Sequence, residues 1–382
     1  MKAEILTIGT ELLLGEITDT NTGFLARSLA SIGVNVYRTT SVGDNEERIA
    51  DAIREILARV DLLITTGGLG PTVDDPTRDA VALALNLPVE FHLDLWETIQ
   101  EYFNHRGLTA SENNRRQAYL PQGAEVIFNP VGTAPAFLVE TEAGTLISLP
   151  GVPFEMETLM VQSVLPAIRS RFEVNGIIQA RLLHTVGVGE SRIDEKIGVF
   201  ETYSNPTVGL AAHAGQVDIR LTARAENEEE AQKMLDPLEQ EVRNLLGDRI
   251  YGVDDTSLEE AALQPYKNNH QTVAVIESGL GGQLSAKLGS FPDTFHAGLV
   301  LPTTTIAECT KMIEQEALLR ADVILVAVFS SREENLLELQ LHVGETVITQ
   351  DIHIPGPAAA AMYRACTHAL DFLRTQFQSG VQ

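Results

Sequence analysis

The 382-residue chain has little cysteine. Cys309 and Cys366 are the only two, too few for a disulfide framework or a zinc site. Basic residues are scarce as well: Lys and Arg number 27 against 53 Asp and Glu, a formal charge of −26. A surface this negative repels phosphate backbones and anionic lipid, so neither nucleic acid nor a membrane surface is expected as a partner. Long apolar runs are missing: Val323 to Phe329 spans seven residues, far short of the roughly 20 that cross a bilayer. The opening segment MKAEILTIGTELLLGE carries Glu4 and Glu11 within its apolar stretch and lacks a small-residue cleavage site, so no signal peptide is expected. There is no internal repeat and no low-complexity tract. What is there suffices for packed cores, since 44% of residues are apolar and 21% charged. At roughly 150 residues per domain, a cytoplasmic protein of two or three domains is expected.

The first 170 residues alternate strand and helix patterns. Ala3 to Ile8 is a short β-branched run that stops at Gly9, and Leu25, Leu29 and Ile32 then mark one face of a helix ended by Gly33. Val36 to Val42 reads as a strand, Ile49, Ile53, Ile56, Leu57 and Val60 as a helix face, and Asp61 to Thr66 as a buried strand. This order predicts a mostly parallel sheet with helices on both faces, and ligands of such sheets bind beyond the C-terminal ends of the strands. Further on, Val208–Ala214 and Gln216–Ala223 predict a hairpin turning near Gly215, with Asp218, Arg220 and Thr222 on one face. From Glu226 to Glu260 twelve acids face three bases (Lys233, Arg243 and Arg249), which marks a solvated helix and connector. A third unit opens near Thr256 with a helix, the strand Thr272–Ile276, a glycine turn, a further helix and, later, the strand Val323–Phe329. The expected organisation is therefore three α/β units: 1–170 as a three-layer αβα domain, 171–255 as a small α+β connector and 256–382 as an α/β domain.

The strongest chemical signal is Thr65-Thr66-Gly67-Gly68-Leu69-Gly70-Pro71-Thr72-Val73-Asp74-Asp75. Glycines after a strand let backbone amides approach an anion, and adjacent carboxylates suit a divalent cation bridging protein and phosphate. A tight loop with solvated acids is the competing reading. The segment lacks the Gly-Lys-Ser/Thr ending of nucleotide triphosphatases, and no G-x-G-x-x-G follows the first strand. Gly9-Thr10-Glu11-Leu12-Leu13-Leu14-Gly15, followed by Asp19, Thr20 and Asn21, ends the first strand at the same edge, and Asp44 follows the second. Four carboxylates converging there, Glu11, Asp44, Asp74 and Asp75, would repel one another unless a cation neutralised them. Thr72 and Thr77 either cap the next helix or contact the same ligand. Leu149-Pro150-Gly151-Val152-Pro153-Phe154-Glu155-Met156 precedes a helix and, by itself, reads equally as a rigid loop.

Together, GTELLLGEITDTN, TTGGLGPTVDD, NPVGTAPAF, LPGVPFEM, TVGVGESRIDEKI and NPTVGLAAHAGQVDIRLTARA resemble the competence- and damage-inducible CinA family from residue 1 to about 285. The resemblance implies a molybdopterin-binding-type first domain, associated in that family with metal-dependent hydrolysis of ADP-ribose to AMP and ribose 5-phosphate. It implies that Gly67, Gly68, Gly70, Pro71, Thr72, Asn21 and Gly151 hold the nucleotide. Asp74 and Asp75 would position a divalent ion, cobalt or magnesium, and serve catalysis, with Glu11 and Asp44 as further ligands. It also implies a homodimer. The middle unit is similar to a connector compared with the KH fold, but Gly187-Val188-Gly189-Glu190 lacks the G-x-x-G clamp with basic neighbours that RNA requires.

Proteins of this family usually end in a nicotinamide mononucleotide deamidase domain that opens with Glu-Ser-Cys-Thr-Gly-Gly, and Glu277-Ser278-Gly279-Leu280-Gly281-Gly282 resembles a relic of it. Ser278 would be the nucleophile and would need a base. The family's tyrosine is replaced by Pro302 and its lysine falls near Ala307, with Lys311 the closest. Its Thr-Gly-x-Ala-Gly-Pro becomes Phe329-Ser330-Ser331-Arg332-Glu333, and its Gly-x-Arg becomes Pro355-Gly356-Pro357-Ala358. These departures predict a degenerate deamidase domain in which Ser278 is a turn residue. Retained deamidation through Ser278, and a first domain that binds a nucleotide or pterin without turnover, are the alternatives.

Overall fold

A computed structural model of the chain describes residues 1–172, 174, 176–213, 215–315, 320–331 and 335–380. They gather into two compact units, 1–179 with 224–231, and 180–223 with 232–382. Numbered in chain order, the strands of the first unit are β1 (Lys2–Ile8), β2 (Asn35–Val42), β3 (Leu62–Thr66), β4 (Val89–Phe91), β5 (Tyr119–Pro121), β6 (Glu125–Ile127), β7 (Ala136–Thr141) and β8 (Gly144–Leu149).

Six of them form one sheet in the order β2-β1-β3-β8-β7-β6. The first four are parallel, while β7 and β6 continue antiparallel. Alternation along β1 divides the core: Ile5 joins Leu25, Leu29, Met156 and Met160 on one face, and Leu6 joins Ile49, Ile53, Val81 and Phe137 on the other. Helices therefore cover both faces, as a mostly parallel sheet requires. The helix Thr20–Ala30 begins where Asp19 accepts the Thr22 N–H, and Glu46–Leu57 where Asn45 accepts the Arg48 N–H. The expected αβα layering is present, with element ends shifted by a residue or a few.

In the second unit the strands continue as β9 (Ile177–Val186), β10 (Thr207–His213), β11 (Gln216–Ala225) and β12 (Ile250–Val253), in the order β10-β11-β9-β12. The predicted hairpin is β10 and β11, paired from Thr207 with Thr222 to His213 with Gln216; Ala214 lies outside the described residues. The acidic helix is Glu228–Leu246.

The last sheet holds β13 (Val273–Ser278), β14 (Phe295–Leu301), β15 (Val323–Ser330), β16 (Leu336–Val343) and β17 (Thr346–His353), ordered β14-β13-β15-β16-β17. Its first three strands are parallel and the last two antiparallel. The helices Leu258–Asn268 and Ala358–Gly380 pack on one face through Tyr266, Ala365, Ala369 and Leu373. Cys309, on the helix Ile306–Gln315, packs on the other. The altered motif is so far preserved as a packed domain. Its Arg332 and Glu333 lie outside the described residues.

Candidate functional site

The strand ends β1, β3 and β8 bring three segments of the sequence to one edge. Asn21 ties them together: its Nδ2 donates to Thr66 Oγ1 (3.0 Å) and to the Gly151 carbonyl (2.9 Å). Thr66 Oγ1 donates onward to the Pro150 carbonyl (2.8 Å), so both Asn21 contacts are acceptors and the amide orientation is fixed by its partners. A cavity of about 110 Å³ opens here, lined by Glu11, Asp19, Asn21, Thr66, Gly67 and Gly151 among others.

The loop after β3 is shaped by contacts within the protein. Gly67 and Gly68 adopt φ of 109° and 65°, the left-handed region that glycine enters without strain. A Cβ on Gly67 would lie 2.1 Å from the Ile8 carbonyl oxygen, and one on Gly68 2.2 Å from Thr77 Oγ1. Thr77 Oγ1 donates to the Gly67 carbonyl at 2.8 Å, so Thr77 braces the loop. At Gly70 the neighbour is the Asp75 carboxylate, 2.5 Å from where a Cβ would stand. After these constraints the amides of Gly68, Leu69 and Gly70 donate no hydrogen bond among the described residues.

Behind them lies Arg78, only 4% exposed, donating Nη1 to the Leu69 carbonyl (2.7 Å) and Nη2 to the Gly70 carbonyl (2.8 Å). Burial pulls its pKa down to about 10, opposed by Asp75 and Asp79, so it stays charged at neutral pH. Free amides with a buried cation behind them make an anion cradle. The sequence reading did not single out Arg78, because a basic residue in a helix is ordinarily solvated; its position three residues after Asp75 was the available signal.

The four carboxylates expected at this edge do different jobs. Asp75 Oδ2 accepts the N–H and the hydroxyl of Thr72 (2.8 and 2.6 Å), which closes the turn and engages Thr72 in the loop itself. Pro71 is half-buried beside it. Asp44 Oδ2 accepts the Thr10 N–H at 2.7 Å, while the Asp44 N–H donates to Thr10 Oγ1. Asp74 is exposed and Glu11 half-buried, and neither carboxylate takes a hydrogen bond among the described residues. Among those residues no group of three or more His, Cys, Asp and Glu side chains is arranged to hold a metal ion.

A second latch joins the segments NPVGTAPAF and LPGVPFEM. Asn129 Nδ2 donates to Glu155 Oε2 (2.6 Å) and to the Ala134 carbonyl (2.9 Å), and the Glu155 carboxylate occupies the place a Cβ on Gly132 would take. Burial raises the Glu155 pKa, and the Asn129 bond works against that shift.

In the last sheet Ser278 is engaged on both sides. Its hydroxyl donates to the Pro302 carbonyl (2.8 Å) and accepts the Thr304 N–H (3.0 Å), while Lys311 is exposed. Glu277, fully buried, accepts the N–H groups of Leu284 and Ser285. Gly279 has φ of 74°, and a Cβ there would lie 2.0 Å from the Phe329 carbonyl oxygen. The motif is a strand-to-helix turn in which the side chains of Glu277 and Ser278 are both engaged internally.

These features define a protein whose first unit is an αβα domain of the molybdopterin-binding type. The family model described as a probable molybdopterin binding domain matches residues 4–170, and the damage-inducible protein CinA KH domain matches 180–252. A CinA-like protein of Dictyoglomus thermophilum is 43% identical over 293 residues, covering 76% of this chain and 71% of the relative. A CinA-like protein of Kosmotoga olearia is 42% identical over 289 residues, covering 75% and 70%. The crystal structure of the protein CinA with unknown function from Thermoplasma acidophilum is 32% identical over 44% of this chain and 98% of its own, with a TM-score of 0.40. The chain belongs to the CinA family. Among the described residues no helix is long and apolar enough to cross a membrane.

Proposed function

We propose that the first domain hydrolyses the pyrophosphate of ADP-ribose, yielding AMP and ribose 5-phosphate with the help of a divalent ion. The observation that carries this reading is the row of unengaged amides at Gly68, Leu69 and Gly70 with the buried Arg78 guanidinium behind it. Such a cradle stabilises charge on phosphoryl oxygens without reorganising as the charge grows.

The residues fit a metal that arrives with its substrate. A magnesium-type ion is commonly held by one or two carboxylates plus substrate phosphates, and Asp74, whose carboxylate takes no hydrogen bond among the described residues, is free for that purpose. When bound, the ion would polarise the phosphoryl group and lower the pKa of a bound water. Asp75 keeps the loop closed through Thr72, and Asn21 ties the helix Thr20–Ala30 to Thr66 and Gly151 at the cavity.

For the last domain we propose no deamidase role. The Ser278 proton is directed at a carbonyl oxygen and no base reaches the hydroxyl among the described residues, which supports a structural part for this residue. The family resemblance further suggests a homodimer, which sedimentation of the full chain tests.

The test incubates the purified chain with ADP-ribose, and separately with nicotinamide mononucleotide, with and without cobalt or magnesium. AMP and ribose 5-phosphate are expected only with metal, and lost in Asp74→Ala at an unchanged melting temperature. Ammonia from the mononucleotide, lost in Ser278→Ala, would overturn the structural reading of Ser278. No product with any metal would overturn the hydrolase and favour a nucleotide-binding protein.

A further inference from the structure

In the second unit a cavity of about 500 Å³ opens where β12 meets the helices Leu258–Asn268 and Ala358–Gly380. That volume lies within the roughly 300–1,000 Å³ of small-molecule sites. Ile250, Ala261, Pro265 and Phe377 give it apolar walls, and neither the Gly68–Gly70 loop nor the Ser278 turn lines it.

Two lining residues hold donors without acceptors. Arg374 is only 6% exposed. Its Nε and Nη2 donate to Asp371 Oδ1 (3.1 and 2.7 Å), and Nη2 also donates to the Asp248 carbonyl (2.7 Å). Its Nη1 has no acceptor among the described residues. Tyr251 supplies the second donor. Burial, Asp218 and Glu259 push its phenol up against the pull of Arg374, so it stays protonated. Its hydroxyl makes no hydrogen bond among the described residues. Donors withdrawn from bulk water require an acceptor from water or from a ligand.

The acceptor they select is uncharged. Asp371 already balances the Arg374 guanidinium, and the exposed carboxylate of Glu260 at the rim repels an anion. The rim also offers acceptors. Gln264 Nε2 donates to Asn268 Oδ1 (2.8 Å) and Asn269 Nδ2 to the Pro265 carbonyl (2.8 Å), which leaves Gln264 Oε1 and Asn269 Oδ1 available. Pro265 lies inside the helix and has no N–H, so the Ala261 carbonyl lacks its α-helical donor. A ligand that meets both sets places a ring against Tyr251, Pro265 and Phe377, is neutral, and carries a carbonyl beside an N–H.

We infer that this cavity binds a neutral lactam ring of the kind carried by guanosine and uridine, its carbonyl accepting from Tyr251 and Arg374 and its N–H donating to the rim. Adenine has no carbonyl and is excluded on the same chemistry. The site is independent of the proposed hydrolysis in the first domain.

The test is calorimetric titration of the full chain with guanosine, uridine and adenosine, with hydrogen exchange to locate the ligand. At least one of the first two is expected to bind about tenfold more tightly than adenosine, the increment of one hydrogen bond to a charged donor. Which of them binds distinguishes a purine from a pyrimidine lactam. Exchange is expected to slow across residues 258–269. Tyr251→Phe keeps the ring that stacks on His184 and should weaken binding about fivefold, one neutral hydrogen bond, at an unchanged melting temperature. Gln264→Ala, on the exposed rim, should weaken it as well. Equal affinity for adenosine, affinity unaltered in both variants, or protection confined to the first domain would overturn the site. So would the binding of no nucleoside at millimolar concentration.

Discussion

The imidazole Nδ1 of His184 lies 2.7 Å from the carboxylate Oδ1 of Asp218, across the sheet that joins β9 to β11. On its other side Nε2 lies 2.6 Å from the carbonyl oxygen of Asp254, which can only accept. With Asp218 ionised, both ring nitrogens face acceptors, so the arrangement calls for a proton on each. His213 meets the second oxygen of Asp218 at 2.9 Å, and the His184 ring stacks on Tyr251. Burial draws the His184 pKa down, but the Asp254 carbonyl and the Asp218 carboxylate outweigh it and hold it above the usual value near 6.5.

A raised folded-state pKa stabilises the fold below the unfolded pKa, and that stability is lost as pH rises through the folded one. In urea denaturation between pH 5.5 and 8.5, the wild-type chain should therefore lose stability relative to His184→Gln as pH increases. His342 and His368, whose burial lowers their pKa values, contribute equally to both proteins and cancel in the difference. A difference independent of pH would show that His184 is neutral in the fold.

Gly68→Ala should destabilise the first domain by about 2 kcal/mol or more. The new Cβ meets Thr77 Oγ1 at 2.2 Å while the backbone is held at φ of 65°. Gly15→Ala provides the control, since its φ of 70° has nothing within 4 Å of the added atom, and backbone strain alone costs about 1 kcal/mol. Denaturant midpoints of the two variants separate crowding from strain.

Arg78→Met should cost about 2 kcal/mol by removing the donors to two carbonyl groups, one of them buried. The same change should abolish ADP-ribose hydrolysis. Arg78→Lys keeps a charge but loses the two-pronged contact, so it should recover part of the activity. Equal activity in the lysine and methionine variants would show that the charge behind the loop does not matter.

Ser278→Ala should lower stability by about 1–2 kcal/mol, because the Pro302 carbonyl loses its donor and the Thr304 N–H its acceptor. Hydrolysis of ADP-ribose should be unchanged, as measured beside the denaturation curve.

Much of the framework follows from local sequence. Apolar periodicity sets the strand and helix order of the first domain, because each element must turn one apolar stripe to the core, and Gly9 and Gly67 mark where β1 and β3 end. The alternation Leu337, Leu339, Leu341 against Glu338, Gln340, His342 likewise carries the antiparallel extension of the last sheet. Tertiary structure alone decides how neighbouring acids divide their work. Asp74 and Asp75 are adjacent in sequence, yet one carboxylate is turned back onto Thr72 and the other faces solvent. It also decides that Arg78 is buried, that Asn21 joins residues 45 and 130 positions away, and that Asn129 holds Glu155. The reason is physical: the hydrogen-bond partners of a polar side chain depend on which distant backbone groups the packed sheet leaves unsatisfied beside it.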